Sequence, residues 1–436
     1  MQIPFTKRTL ANGLDVIVHE DRHAPIVAVN VWYHVGSKNE RPGRTGFAHL
    51  FEHLMFEGSA HQPRGYFEPL QEVGAALNGS TSADRTNYWE VVPRGALRLA
   101  LWMEADRMGW LLPAVTETRF NTQRDVVLNE RRQNYENRPY GLAQFIIAAA
   151  LVPPDHPYHW PTIGDPADIE RASLDDVRAF FRTYYHPANA SLTVAGDVHA
   201  DDVLGEIEAC FGDIPPGPAA GRVAAPRPHA EPLRLVHEDR VELARLYLSW
   251  PSPPLFAADD AELDLVGELL ANGRSSRLYR RLIHDRRIAT ELAAHQGSRE
   301  LAGAFQIVAT AAAGHALEEI LDAIVEETAR FADEGPTAAE VARGRVRVET
   351  AFAHRLETLG GFGGRADQLN AYNVYRGDPD GFAGDLGRYI EADTRALADA
   401  CRRWIATPPI VALSVVPAGR ADLALPGSRP ASEGVR

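Results

Sequence analysis

Cysteine is nearly absent. The 436 residues contain two, Cys210 and Cys401, far apart and outside any C-x-x-C pattern. That excludes a disulfide framework and a cysteine-based metal site. Long apolar runs are missing too. None approaches the roughly 18 residues of a membrane-spanning helix, and the best candidate, residues 145–152, is short and Ala-rich and reads as a buried helix. Basic charge is in deficit, with 45 Lys and Arg against 59 Asp and Glu and a formal charge of −14. This argues against a nucleic-acid or anionic-membrane surface. The amino terminus has no apolar core behind its basic residues, so no secretory leader is visible. A cytoplasmic location is expected, or a periplasmic one if a leader has been removed.

What is present is an ordinary globular composition, 45% hydrophobic and 24% charged, in a chain long enough for two or more packed units. Residues 213–230 carry five prolines. Proline fixes φ and removes an amide donor, so this stretch reads as a linker. Residues 417–436 are rich in Pro, Gly and Ser and read as a frayed tail. The expected domains are thus 1–212 and 231–416. Each half opens with strands. Residues 5–10 and 14–19 flank Asn12-Gly13, a hairpin signal in which both central positions need positive φ. Residues 26–35, 191–196, 233–236, 243–250 and 408–416 also read as strands. His19-Glu-Asp-Arg22 recurs as His237-Glu-Asp-Arg240, each followed by an amphipathic helix, at 48–56 and 263–270. The order of elements points to two copies of one α+β unit, each an antiparallel sheet with flanking helices.

The chemistry sits on the first of those helices, in Gly46-Phe-Ala-His-Leu-Phe-Glu-His-Leu-Met-Phe56. His49, Glu52 and His53 stand at i, i+3 and i+4 and leave one helix face. Two imidazoles one turn apart can reach a single tetrahedral Zn²⁺ at about 2 Å, with the carboxylate beside them holding water. This is the inverted H-x-x-E-H form of the metallopeptidase motif. Because Leu50, Phe51, Leu54, Met55 and Phe56 surround the polar stripe, buried histidines there need a partner that offsets desolvation. A third protein ligand is expected from a helix over about residues 117–137. Spacing alone does not choose among Asp125, Glu130 and Glu136.

His49-Leu-Phe-Glu-His53 with Glu130 resembles the pitrilysin, insulysin and mitochondrial-processing-peptidase family of inverted-motif zinc metallopeptidases, in particular the zinc-bearing subunit of its bacterial two-subunit type. The likeness includes residues 12–21 (NGLDVIVHED), 76–88 (ALNGSTSADRTNY), 125–141 (DVVLNERRQNYENRPYG), 156–169 and 184–198. It implies Glu130 as third ligand, one Zn²⁺ per chain, and Glu52 as the general base on the zinc's water in peptide-bond hydrolysis. It also implies a fold that is half of a clamshell. Asn78 and Gly79 become substrate contacts on an edge strand that pairs with extended peptides; sequence alone favours an Asn-Gly turn there.

Two departures matter. In the second half Leu265, Glu268 and Leu269 stand against His49, Glu52 and His53, so no second metal site is expected. Relatives place an Arg and a Tyr that steady the carbonyl oxygen where this chain has Ile283 and Thr290, although Arg277 and Tyr279 lie nearby. The resemblance then implies a related noncatalytic subunit that supplies the pair in a heterodimer, or a second copy of the chain. Gln123 stands where relatives often carry Glu, in reach of tuning the metal's surroundings. The runner-up is a noncatalytic core or assembly subunit. Gly360–Gly364 lacks the Lys-Ser/Thr of a phosphate loop, His156 and His159 read as turn residues, and Arg280, Arg281, Arg286 and Arg287 as a solvated face or subunit contact.

Overall fold

A computed structural model of the chain describes residues 2–221 and 223–431. The first stretch runs β1 (Thr6–Thr9), β2 (Asp15–Glu20), β3 (Ile26–Tyr33), α1 (Phe47–Leu54), α2 (Phe67–Glu72), β4 (Ala76–Thr81), β5 (Thr86–Pro93), α3 (Leu97–Trp110), α4 (Glu117–Arg131), α5 (Ala143–Leu151), α6 (Pro166–Arg171), α7 (Leu174–Tyr184), β6 (Ala190–Gly196) and α8 (Ala200–Phe211). After the proline-rich segment come β7 (Leu233–Asp239), β8 (Arg245–Ser252), α9 (Asp260–Ala271), β9 (Ala289–Gly297), β10 (Gly303–Ala311), α10 (Leu317–Glu334), α11 (Ala338–Glu357), α12 (Arg365–Arg376), α13 (Phe382–Glu391), α14 (Thr394–Trp404), β11 (Val411–Pro417) and β12 (Arg429–Pro430). No helix among the described residues is long and apolar enough to cross a membrane.

The fold is α+β, with two sheets of six strands ordered β1-β2-β6-β3-β5-β4 and β12-β7-β11-β8-β10-β9. Strand for strand, β2, β6, β3, β5 and β4 match β7, β11, β8, β10 and β9, so the duplicated His-Glu-Asp-Arg sequences begin in equivalent strands. Neither sheet is wholly antiparallel as expected. β2 pairs with β6, and β7 with β11, in parallel. The reason is topological: the helices between each pair return the chain to the end of the sheet from which it left.

Three local expectations differ from the structure. The β1–β2 hairpin forms, but only Gly13 takes positive φ. Asn12 is buried instead and donates to the carbonyls of Phe211 and Ile214 at 2.7 and 3.0 Å. Part of the expected tail, up to residue 431, folds back: β12 adds to β7 in parallel. The rest of that tail, 432–436, lies outside the described residues.

The third difference is that the compact units do not follow a single cut at the linker. One gathers the described residues of Met1–Glu130, Trp160–Val223 and Ala351–Gly384; the other gathers those of Arg131–His159, Ala224–Thr350 and Asp385–Arg436. Each half of the chain therefore lends a helix to the other unit. The physical reason is visible in the helices. α5 is apolar almost all round, and Ile146, Ile147 and Leu151 bury against Leu235, Tyr247 and Leu413 of the second sheet. α12 carries the opposite solution, a row of polar groups that meets a polar stripe on the first sheet.

That stripe is unusual for inner strands. Asp367 of α12 accepts from the Trp32 indole at 2.7 Å and from Asn87 at 3.1 Å. Asn370 accepts from Ser191 and Thr193 and donates to the Asn30 carbonyl. All these groups are buried, so each must find a partner inside the protein. Asp367→Ala leaves an indole and an amide without acceptors. It should lower unfolding free energy in urea by about 3 kcal/mol, where exposed Asp378→Ala leaves it unchanged.

Candidate metal centre

The site is built on α1. Its entry is fixed by Gly46, whose φ of 89° lies in the left-handed region; a Cβ there would also press on the Ile169 side chain at 2.9 Å. The Glu40 carboxylate accepts from the backbone amides of Gly46 at 2.9 Å and Ala48 at 2.8 Å. Burial raises the Glu40 pKa to about 8, so it serves as an acceptor for helix-start donors that have no partner within the helix. Thr45 is tied to Asp168 of α6 through both its amide and its hydroxyl. One face of α1 then anchors in the core: Phe47, Leu50, Phe51 and Leu54 are buried, and the Phe51 ring meets Phe180, Phe181 and Tyr185.

The opposite face presents His49, Glu52 and His53, with the two imidazole centroids 4.9 Å apart. α4 brings Glu130 to them, its carboxylate oxygen 3.7 Å from His49 Nε2 and 3.3 Å from His53 Nε2. α4 ends one residue later and passes into a π turn over Arg132–Glu136, a local widening that often accompanies functional sites. Ligand atoms bound to zinc at about 2.0–2.1 Å in a tetrahedron stand roughly 3.3 Å from one another. The Glu130 distances of 3.3 and 3.7 Å lie near that figure, and the donor atoms of all three side chains lie within 4.8 Å of one another. Burial and the neighbouring His53 hold His49 below the usual histidine pKa, so the ring keeps a lone pair to offer. The three side chains retain between 12% and 31% of their exposure, enough to leave one side open. Among the described residues no other cluster of this kind occurs, and His156 and His159 lie in turns bonded to local backbone.

Glu52 is mostly buried, which raises its pKa, and the Thr81 hydroxyl opposes that rise by donating to Glu52 Oε2 at 2.7 Å. Thr81 belongs to β4, the outermost strand of its sheet. Asn78 and Gly79 lie on the same strand, paired with Trp89 and Tyr88, so the Asn-Gly turn that sequence alone favours does not form. Gly79 lies so close to Phe56 and Tyr88 that an added Cβ would meet their rings at 3.0–3.1 Å. Gln123 does not reach the ligands in its observed bonds. It donates to Glu57 at 2.8 Å and so links α4 to the chain just past α1.

In the second unit Leu265 and Leu269 are core residues, and Glu268 pairs with Arg347 at 2.7 Å. Ile283 packs against that core and Thr290 lies in β9. Arg277 is held in a two-bond fork by Glu340. Sequence reasoning missed Glu40, Glu57 and Thr81 as supports of the site, because none has a periodic relation to the motif. Only the folded chain sets strand residue 81 against helix residue 52.

A histidine pair and a carboxylate from a later helix, on one of two matched α+β units, define an inverted-motif metallopeptidase architecture. The chain belongs to peptidase family M16. Residues 15–152 match the model described as Insulinase (Peptidase family M16), and residues 171–347 match the Peptidase M16 inactive domain. Zinc protease PqqE of Helicobacter pylori is 31% identical over 360 residues, covering 80% of each chain. A crystal structure of a protease from Helicobacter pylori superposes with a TM-score of 0.85 at 26% identity, over 96% of this chain and 100% of that one. A probable mitochondrial-processing peptidase subunit beta of Arabidopsis thaliana is 26% identical over 211 residues, 48% of this chain and 39% of that protein.

Glu40→Ala removes the acceptor from the start of α1. It should cost about 1–2 kcal/mol in thermal or urea unfolding, with Glu40→Gln, which keeps an acceptor oxygen, losing clearly less.

Proposed function

We propose that this chain is the zinc-holding subunit of a zinc-dependent endopeptidase acting on peptides or small unfolded polypeptides. The observation that carries the reading is the convergence of His49, His53 and Glu130 beside a Glu52 held by Thr81. His49, His53 and Glu130 would hold the ion. When bound, Zn²⁺ supplies Lewis acidity to water and to a carbonyl oxygen. Glu52 is the general base: its carboxylate takes a proton from the attacking water and passes it to the departing amine. Thr81 keeps one carboxylate oxygen fixed for both transfers. Asn78 and Gly79 sit on an edge strand, and an extended peptide added there would be held by main-chain bonds with little demand on its sequence. Gln123, through Glu57, steadies the approach of α4 to α1. The name of the Helicobacter relative supports zinc as the metal.

A related partner completes the enzyme in this reading. Ile283 and Thr290 offer no charged donor toward a developing oxyanion, and Arg277 is spent on Glu340. The Arabidopsis relative is named as a subunit, which supports a chain that works in a pair. The intact ligand set argues against the alternative of a noncatalytic core subunit.

Glu52→Gln should lower hydrolysis of an unstructured fluorogenic peptide by at least about a hundredfold while zinc content holds; unchanged turnover removes Glu52 from the chemistry. In Thr81→Val the donor that lowers the Glu52 pKa is lost, so the acid limb of kcat/KM should move to higher pH. An unmoved limb would separate Thr81 from the base. The purified chain alone should hydrolyse poorly and gain activity on adding the subunit that co-purifies with it from the native source. Full activity of the isolated monomer contradicts the paired arrangement.

A further inference from the structure

The second unit keeps the frame of the metal site but not its ligands. Leu265, Glu268 and Leu269 of α9 repeat the positions of His49, Glu52 and His53, and α11 repeats α4. Gly344 of α11 stands toward the two leucines as Glu130 stands toward the two histidines: a Cβ on Gly344 would lie 3.2 Å from Leu269 and 3.3 Å from Leu265. The leucine methyls fill the place where a side chain at 344 would begin, and the open space lies alongside them. A cavity of about 410 Å³ opens there, with Leu269 and Gly344 in its wall and Ser275, Arg343 and Arg347 among its polar lining.

The polar groups have unequal commitments. Glu268, the counterpart of the base, is matched by Arg347, which also donates to the Asn272 carbonyl at 3.1 Å. Arg343 is exposed, and among the described residues its guanidinium reaches only the Ala339 carbonyl, at 3.4 Å. Ser275 and Arg343 also line the adjoining cleft, where Arg281 and Arg330 are paired with Glu327 and the carboxylates Glu334 and Glu340 share the lining. The cavity thus has an apolar wall and an unmatched guanidinium at its mouth, in a chain of net charge −14.

We propose that this relict pocket binds the carboxyl terminus of a peptide ending in an apolar residue. The last side chain occupies the space beside Leu269 and Gly344, and the terminal carboxylate meets the Arg343 fork, with the Ser275 hydroxyl as a further donor. A planar guanidinium suits a carboxylate through two parallel bonds. The size favours a short ligand: 410 Å³ is near the lower end of small-molecule sites, which run from about 300 to 1,000 Å³. The pocket stands on its own geometry and does not depend on hydrolysis at the first unit.

The test uses the full chain, freed of metal and kept in EDTA so that hydrolysis cannot contribute. It is titrated by calorimetry with N-acetyl-Ala-Ala-Leu, with the carboxamide of the same peptide, and with decanoate. The free acid should bind at least about tenfold more tightly than the amide, the difference expected of one charge-assisted contact. Arg343→Glu should abolish binding of the acid, Arg343→Lys should retain part of it, and Ala342→Trp, on the exposed rim, should block it. Circular dichroism melting of these surface variants should match the parent. Equal binding of acid and amide, binding untouched by Arg343→Glu, or no binding at all overturns the proposal. Binding of decanoate without the peptide also overturns it and assigns the pocket to acyl chains. Because the readout is binding to metal-free protein, it can fail while peptidase activity stands, or hold while that activity is absent.

Discussion

The approach of one carboxylate to two imidazoles is the constraint on which the rest depends. His49 and His53 share a helix face by arithmetic, but a pair of imidazoles is an incomplete site. Glu130 stands at 3.3 and 3.7 Å from them because α1 is fixed in the core and α4 is tied to it. α1 is clamped at its start by Glu40 and Asp168 and along its back by aromatic packing. α4 is linked to the far end of α1 through Gln123 and Glu57. Removing water from such a cluster is costly without an ion to share the lone pairs, which is why geometry and composition support the same proposed occupant.

The duplicated unit shows what happens when that demand is lifted. The same frame, with leucines at the positions of the histidines and Gly344 at that of Glu130, buries its helix as plain core, and its Glu268 is paired with Arg347. Chemistry is thus confined to a few side chains on a shared scaffold, and the sheets, six strands each in matching order, need not change to gain or lose it.

Much of this was legible in the amino-acid order. Strands rich in Val, Trp and Tyr, the i, i+3, i+4 motif and the repeated His-Glu-Asp-Arg all report local periodicity, which the chain carries openly. Glu130 was reachable only through family likeness, since Asp125 and Glu136 have the same local credentials. The edge strand at Asn78 and Gly79 hid behind an Asn-Gly pair because the contacts that flatten it, Phe56 and Tyr88, come from elsewhere. Least legible was the exchange of α5 and α12 between units. A linker marks where the chain is covalently slack, whereas unit membership is decided by which sheet offers a matching surface: apolar for Ile146 and Ile147, polar for Asp367 and Asn370.

The most direct measurement is zinc K-edge absorption fine structure on the purified full chain, beside its elemental zinc content. About one zinc per chain, with two imidazoles and oxygen donors at about 2 Å and loss of that shell in His49→Ala, is the expected result. Zinc well below one equivalent after reconstitution, or a shell that survives loss of His49, contradicts the central claim.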